Sequence, residues 1–352
     1  MNKNVIDRTK LSSYNAILAI LVVLIHTENT GAFSLSSGAF SSFVKGFEWL
    51  ISKNIAAIAV PSFFMISGIL FYRDFSLKIY PKKLKSRLFS LIIPFLLWNL
   101  FRFVLFYVFG KTGITEKFFG APRLLFTAQN LIESIFFYKY NLGFWFMYQL
   151  ILFTVLAPLI WTIIKNKKLG LFAIVLLIAL YSSDLLGEFF IVTLKKRFIL
   201  LDCTIYYMIG AYIGTHFFDF VNKKSKRIGI FSLLGAILGQ ILNFLFIKTG
   251  VLLFYILFLI VSAIAFWYLY DYIKLKPMPL YITTITFFIY AGHGTVLELL
   301  QVLGSHLLDS TAFWAIVTYI LYPIITIGIL VLTSIVLKKY MPRFWKLING
   351  AR

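Results

Sequence analysis

Long apolar runs separated by short polar segments cover almost the whole chain, and this pattern predicts the fold class. A transmembrane helix needs about 20 mainly apolar residues, whereas a membrane-barrel strand alternates apolar and polar residues over about ten positions. The runs that meet the helical requirement lie at 12–31, 54–72, 88–110, 143–164, 169–186, 198–221, 228–247, 251–273, 279–303 and 313–337. We therefore predict an all-α integral membrane protein with about ten transmembrane helices.

The composition also requires a surface that faces lipid. Hydrophobic residues make up 61% of the chain and charged residues 13%, against roughly 45–50% and about 25% in soluble domains. A length of 352 residues would ordinarily suit two or three soluble domains. Because apolar runs are spread over the full length, we predict one polytopic membrane domain over residues 1–352, with no appended soluble domain.

The positive charge lies mainly in the short segments between the apolar runs. It amounts to +21, from 34 Lys and Arg against 13 Asp and Glu. About two thirds of the Lys and Arg fall in alternate segments, which by the positive-inside rule places both termini in the cytoplasm. The cluster Lys195-Lys196-Arg197 lies on the predicted outer side. A missed or additional span near it would invert the predicted orientation of every later segment. Nucleic-acid binding is not expected, because it needs a basic face on a folded soluble surface.

Motifs of soluble enzymes are not found in the sequence. There is no phosphate-binding Gly-rich loop with Lys, no pair of histidines spaced for zinc and no Gly-x-Ser-x-Gly nucleophile motif. The one cysteine, Cys203, excludes an internal disulfide and a cysteine-based metal site. We expect no metal and no bound cofactor.

One connection is much longer than the others. The segment 111–142 mixes apolar residues with polar ones such as Arg123 and Glu133. This composition leaves open whether the segment is interfacial or re-entrant.

Three of the ionisable residues inside predicted spans are candidates for a function, because an unpaired charge or polar group there costs several kcal/mol. Glu298 and Asp202 lie nearer helix ends. His26 is either a functional group or a helix-end histidine that meets interfacial water. Arg102 lies so deep that a partner or an anionic ligand is expected. His293 lies between Gly292 and Gly294, whose small size lets a helix or a ligand approach, but it can equally be a hydrogen-bonded packing residue.

A basic run precedes the third predicted helix, at Lys78, Lys82, Lys83, Lys85 and Arg87. Anchoring on anionic lipid explains such a run without any further role. The alternative is a cationic surface for the phosphates of a cytosolic donor, since Arg and Lys suit phosphate.

Several short motifs occur in the order of a known family. The first helix reads LSSYNAILAILVVLIH and ends in His26, similar to a Leu-Asp-x-x-Arg-Ala motif followed by an apolar run and His. Phe-Phe-x-x-Ser-Gly lies at 63–68, and a late Tyr-x-x-His at Tyr290 and His293. Further matches are Arg87, Pro94, Trp145, Phe146, Pro158 and the segment YYMIGAYIG at 206–214. Over residues 5–340 the chain resembles the acyltransferase-3 family of bacterial membrane proteins, which O-acylate surface polysaccharides and related glycans.

The resemblance implies a donor, a catalytic residue and a location. The donor is an acyl-CoA, usually acetyl-CoA, that approaches from the cytosol and passes its acyl group toward the histidine of the first helix. The acceptor is a glycan or lipid-linked saccharide, glycan-assembly proteins are possible partners, and the location is the bacterial cell membrane. The implied residues are His26 for catalysis, Arg87, Arg102 and Asn15 for donor binding, and Ser67, Trp145 and His293 as support of the pocket.

One position departs from the family pattern. The family places an Arg eleven residues before the histidine of the first helix, and here that residue is Asn15. Eleven helical residues return to nearly the same face, about 16 Å away along the axis. Because Asn15 has no charge, either other cations bind the donor, or donor use differs, or this member is inactive.

Two other function classes stay open at this point. A transporter or flippase-like protein for a small metabolite or glycan precursor is the main alternative, and it would accumulate substrate without consuming a thioester. Such proteins commonly show broken helices and repeat symmetry, which the sequence does not clearly show. A structural or assembly subunit would tolerate every substitution of a charge within the membrane.

Overall fold

The computed structural model describes residues 6–29, 33, 38–111, 125–183, 201–273 and 276–350. These residues form helices joined by short connections and contain no β-strand. The main helices are α1 (Arg8–Ile25), α2 (Ala39–Tyr72), α3 (Tyr80–Lys111), α4 (Ala128–Phe137), α5 (Leu142–Val155), α6 (Ala157–Ile164), α7 (Lys167–Ser182), α8 (Leu201–His216), α9 (Lys226–Thr249), α10 (Leu252–Leu269), α11 (Thr286–Leu307), α12 (Ala312–Tyr340) and α13 (Pro342–Ile348).

Seven of the described helices are long and apolar enough to cross a membrane, and the pair α5 and α6 makes an eighth if it counts as one span. The chain is thus a helical, multi-pass membrane protein. Helices α7 and α8 fall on two further predicted spans, but each has only 16 described residues, and residues 184–200 lie outside the described part. The number of about ten spans and the cytoplasmic location of the termini stay predictions.

The span predicted at 143–164 is not one straight helix. It is broken between α5 and α6, which are bent by 67°. Pro158 stands in the first turn of α6, a position that suits proline because its missing N–H needs no partner there. A hydropathy window detects the apolar character of this segment but not the break.

The second span begins earlier than the sequence predicts. Helix α2 begins at Ala39 rather than at 54. Its first part carries Glu48 and Ser52, which count against a membrane span but are almost completely buried. Glu48 accepts a hydrogen bond from the backbone N–H of Asn29 at 3.1 Å, and Ser52 shares one with Tyr319 at 2.9 Å. These polar side chains face protein, so the helix does not expose them to lipid.

The chain divides into two compact units, each assembled from three stretches. Unit 1 consists of Met1–Leu18, Ala57–Leu84 and Leu152–Pro279. Unit 2 consists of Ala19–Ala56, Lys85–Ile151 and Leu280–Arg352. The stretches alternate, so neither unit corresponds to one consecutive part of the sequence.

Within unit 1, the second part of α2 packs closely against α8 through glycines. A Cβ atom added at Gly68 would overlap the carbonyl oxygen of Tyr207, and one added at Gly210 would overlap that of Met65. Small residues allow such a close approach of two membrane helices. The glycine of the Phe-Phe-x-x-Ser-Gly motif therefore serves helix packing.

Unit 1 also contains a buried ion pair. Lys10 Nζ lies 2.6 Å from Asp271 Oδ2 and 4.1 Å from the ring centroid of Trp267. Lys224 reaches the other oxygen of Asp271 at 3.0 Å. These contacts fix the beginning of α1 to the end of α10.

Within unit 2, the long connection 111–142 contains α4. This helix has 10 residues, too few to cross a bilayer, and residues 112–124 lie outside the described part. It packs on α3, where Asn99 Nδ2 donates to the carbonyl of Ile135 at 3.1 Å. Trp98 of the same helix donates to the carbonyl of Ile348 at 3.0 Å and thereby holds α13.

Candidate active site

A cavity of about 500 Å³ lies within unit 2. Its wall is formed by the end of α1, by α3, by α11 and by the segment 139–144 at the beginning of α5. Ligand pockets for small molecules typically have this size, with aromatic walls and a few polar groups. The residues that line it include His26, Arg102, Phe106, Lys139, Tyr140, Gly143, Phe144, Tyr290, His293, Gly294, Glu298 and Gln301.

One face of α11 supplies much of the wall. Tyr290, Gly294, Glu298 and Gln301 follow one another at intervals of four, four and three residues, and His293 lies three residues after Tyr290, which places them on one side of a helix. A Cβ atom at Gly294 would meet no atom within 4 Å. Several polar residues of this largely apolar helix thus lie at the cavity, and the glycine leaves space there.

Two histidines meet in this cavity. The rings of His26 and His293 have their centroids 5.2 Å apart, with an angle of 38° between the planes. His26 directly follows α1 and is exposed, whereas His293 is only 3% exposed. The carbonyl of His26 accepts a hydrogen bond from Gln301 Nε2 at 3.1 Å, which links the end of α1 to α11.

A backbone carbonyl fixes the His293 ring. Its Nδ1 lies 2.5 Å from the carbonyl oxygen of Tyr290. Because a carbonyl oxygen only accepts, Nδ1 carries the hydrogen, and Nε2 holds the lone pair in the neutral ring. The hydroxyl of Tyr290 in turn donates to the carbonyl of Gly143 at 2.9 Å.

Arg102 crosses the cavity and joins three parts of its wall. Its Nε donates to the carbonyl of Tyr140 at 3.1 Å, and its Nη1 to Thr295 Oγ1 at 3.1 Å. Its Nη2 lies 2.5 Å from Glu298 Oε2. The guanidinium also lies 4.8 Å from the ring centroid of Phe106. The charge of Arg102 is therefore already balanced by a carboxylate.

The structure brings some of the residues that the sequence singles out to one cavity. His26, Arg102 and His293 line one cavity. Arg87 and Trp145 belong to the same unit, but they do not line it, and Asn15 and Ser67 belong to unit 1. The predicted roles of these seven residues in catalysis, donor binding and pocket support stay predictions.

Sequence reasoning missed the residues that complete the wall. Glu298 follows Gly294 by four residues on the face of α11 that lines the cavity, and it supplies the partner that Arg102 needs. Tyr140 and Gly143 contribute backbone carbonyls, which no sequence motif reveals.

The arrangement supplies the groups that acyl transfer needs. A neutral imidazole can take a proton from a hydroxyl group or attack an activated carbonyl carbon. The family model of the acyltransferase-3 type, described as an acyltransferase domain, matches residues 15–338. The chain belongs to the acyltransferase-3 family. It is accordingly a membrane acyltransferase. Comparisons with curated proteins and with solved structures give no significant match.

Proposed function

We propose that this acyltransferase-3 protein transfers an acyl group, most simply acetyl, from cytosolic acyl-CoA to a hydroxyl group of a surface or lipid-linked glycan in a bacterial cell membrane. The observation that carries the proposal is the pair His26 and His293 in one cavity beside the Arg102–Glu298 ion pair. The exposed ring of His26 either accepts the acyl group covalently or removes the proton of the acceptor hydroxyl.

The cavity wall suits a sugar acceptor. Phe106, Tyr140, Phe144 and Tyr290 provide aromatic surface, while a few polar side chains stand between them. Amphipathic ligands are bound by such walls, in which aromatic faces supply area and polar groups fix orientation. A saccharide ring has both an apolar face and hydroxyl groups, so its chemistry matches both parts.

We assign donor binding to residues other than those that line the cavity. Since Arg102 is paired with Glu298, its charge is not available in full to a phosphate group. Arg87 and the basic run that precedes it lie at the predicted cytoplasmic end of α3, where Arg and Lys can bind the phosphates of CoA. Asn15 supplies a hydrogen-bonding group in place of the family Arg but no charge.

The proposal is tested by thioester consumption. The purified protein in liposomes is given labelled acetyl-CoA and the envelope glycans of cells that produce it. Release of the CoA thiol and labelling of the glycan are followed together. We expect His26→Ala to abolish both signals, whereas His306→Ala, an exposed histidine of the same helix as His293 that does not line the cavity, retains them.

Two results would contradict the proposal. In the first, His26→Ala and the parent protein label the glycan equally. In the second, the vesicles accumulate a sugar or another metabolite while no thioester is consumed, which is the behaviour of a transporter.

A further inference from the structure

The second imidazole of the cavity has a geometry that pocket support does not require. The pattern of a nucleophile, a base and a group that orients the base is typical of covalent catalysis. Here His26 is the exposed candidate nucleophile, His293 the neighbouring imidazole, and the carbonyl of Tyr290 the orienting group. At a centroid separation of 5.2 Å the two rings are near enough for one water molecule to relay a proton between them.

Other lining residues with a suitable side chain are engaged. Glu298 is paired with Arg102 at 2.5 Å. Tyr290 donates its hydroxyl hydrogen to a backbone carbonyl. Lys139 lies 2.5 Å from Glu133. Within the described wall, Nε2 of His293 thus remains as a base whose lone pair is not used by the protein.

The geometry points to His293 as the general base of the transfer, with His26 as the residue that carries the acyl group. This inference rests on the proposed function and deepens it. It makes His293 a catalytic residue, because its Nε2 exchanges protons with the reacting groups.

The transfer from an acyl-CoA donor to a hydroxyl acceptor has two steps. The lone-pair nitrogen of His26 attacks the thioester carbonyl, the C–S bond breaks, and the CoA thiolate leaves. The other ring nitrogen of His26 passes its proton to His293 Nε2, which delivers it to the thiolate. The acceptor oxygen then attacks the acyl carbon while its proton passes to His293 Nε2. The acyl C–N bond breaks, and His26 takes this proton back.

The inference is tested on a partial reaction that needs no acceptor. Labelled free CoA is incubated with acetyl-CoA and the protein in liposomes, and an acyl-enzyme exchanges the label into acetyl-CoA. We expect His293→Gln to lower the kcat of exchange by about 100- to 10,000-fold, the usual contribution of a general base. The KM for acetyl-CoA should stay within about threefold, since this loss concerns the chemical step rather than binding.

Chemical rescue separates catalysis from packing. His293→Ala opens space beside His26, and added imidazole should restore part of the exchange. Among small bases of similar size, rescue should increase with base strength. The matched control is His306→Gln, which should exchange like the parent protein, and all variants should elute as the same monodisperse species in detergent.

The results that would contradict the inference can be distinguished from those that would contradict the proposed function. Exchange by His293→Gln within tenfold of the parent, or a His293→Ala variant that imidazole does not rescue, overturns the role of His293 alone. Transfer to glycan without any exchange shows that His26 is not acylated and also overturns the inference, while the proposed function stands. A parent protein that neither exchanges nor consumes the thioester overturns both.

Discussion

Replacing Arg102 by methionine distinguishes a structural role of this arginine from the donor-binding role that the family resemblance implies. Methionine keeps much of the length and apolar volume of the side chain but removes every hydrogen-bond donor. The change disconnects α3 from the carbonyl of Tyr140, from Thr295 and from Glu298. If these contacts are the role of Arg102, the protein loses stability before it loses affinity for the donor.

The magnitude follows from these contacts. Hydrogen bonds from a charged group contribute about 1.5–3 kcal/mol each, and two of them end on Tyr140 and Thr295. The ion pair contributes less than a fully buried one, because the Glu298 side chain is 37% exposed and can be hydrated when left alone. We expect the free energy of unfolding to decrease by about 3–5 kcal/mol, a large part of the 5–15 kcal/mol of a typical protein.

The assay is thermal unfolding in detergent, combined with the KM for acetyl-CoA. Arg343→Met is the matched control, since Arg343 is an exposed residue of α13 and its replacement should change neither quantity. Glu298→Gln and the double variant complete a cycle, in which the two losses should not add because they remove one shared interaction. Unchanged unfolding together with a raised KM would refute the structural role and support donor binding.

Three further changes test the cavity, the helix packing and the charge cluster of unit 1. Gly294→Leu should lower kcat/KM for transfer at least about 100-fold, because the new side chain fills space in which the acceptor must be placed within about 1 Å. Gly328→Leu should retain the parent rate, since an added Cβ at Gly328 also meets no atom within 4 Å. Gly210→Ala should lower the melting temperature in detergent more than Gly328→Ala, since the new methyl group overlaps a backbone carbonyl. The hydrogen bond to Asp271 raises the pKa of Lys224 above its ordinary 10.5. The stability that it contributes is complete below that pH and is lost above it, so Lys224→Met should reduce the decrease in melting temperature between about pH 9 and about pH 12.

The sequence predicted the fold class and three of the cavity residues for the same physical reason. A bilayer makes ionisable side chains expensive, so His26, Arg102 and His293 stand out in apolar runs without any knowledge of their neighbours. All three line one cavity. The family match over residues 15–338 confirms the resemblance that the motifs indicated.

The rest depended on contacts between distant parts of the chain. Arg102 and Glu298 are 196 residues apart in sequence, and the sequence does not say which carboxylate meets the arginine. The beginning of α2 was predicted too late because Glu48 and Ser52 count as polar, although they are buried against protein. Hydropathy measures what a residue would cost in lipid, and it therefore misses those parts of a span whose polar residues face protein.

The polar groups of the cavity that have no partner within the protein indicate where substrate chemistry occurs. Arg102 and Glu298 satisfy each other, and Tyr290 and the Nδ1 of His293 use backbone carbonyls. Polar groups that a membrane protein does not satisfy by its own structure are commonly satisfied by water or a ligand. Within the described wall, the His26 ring and the Nε2 of His293 are such groups. The proposed acceptor hydroxyl is therefore expected beside these two rings, where a base can take its proton.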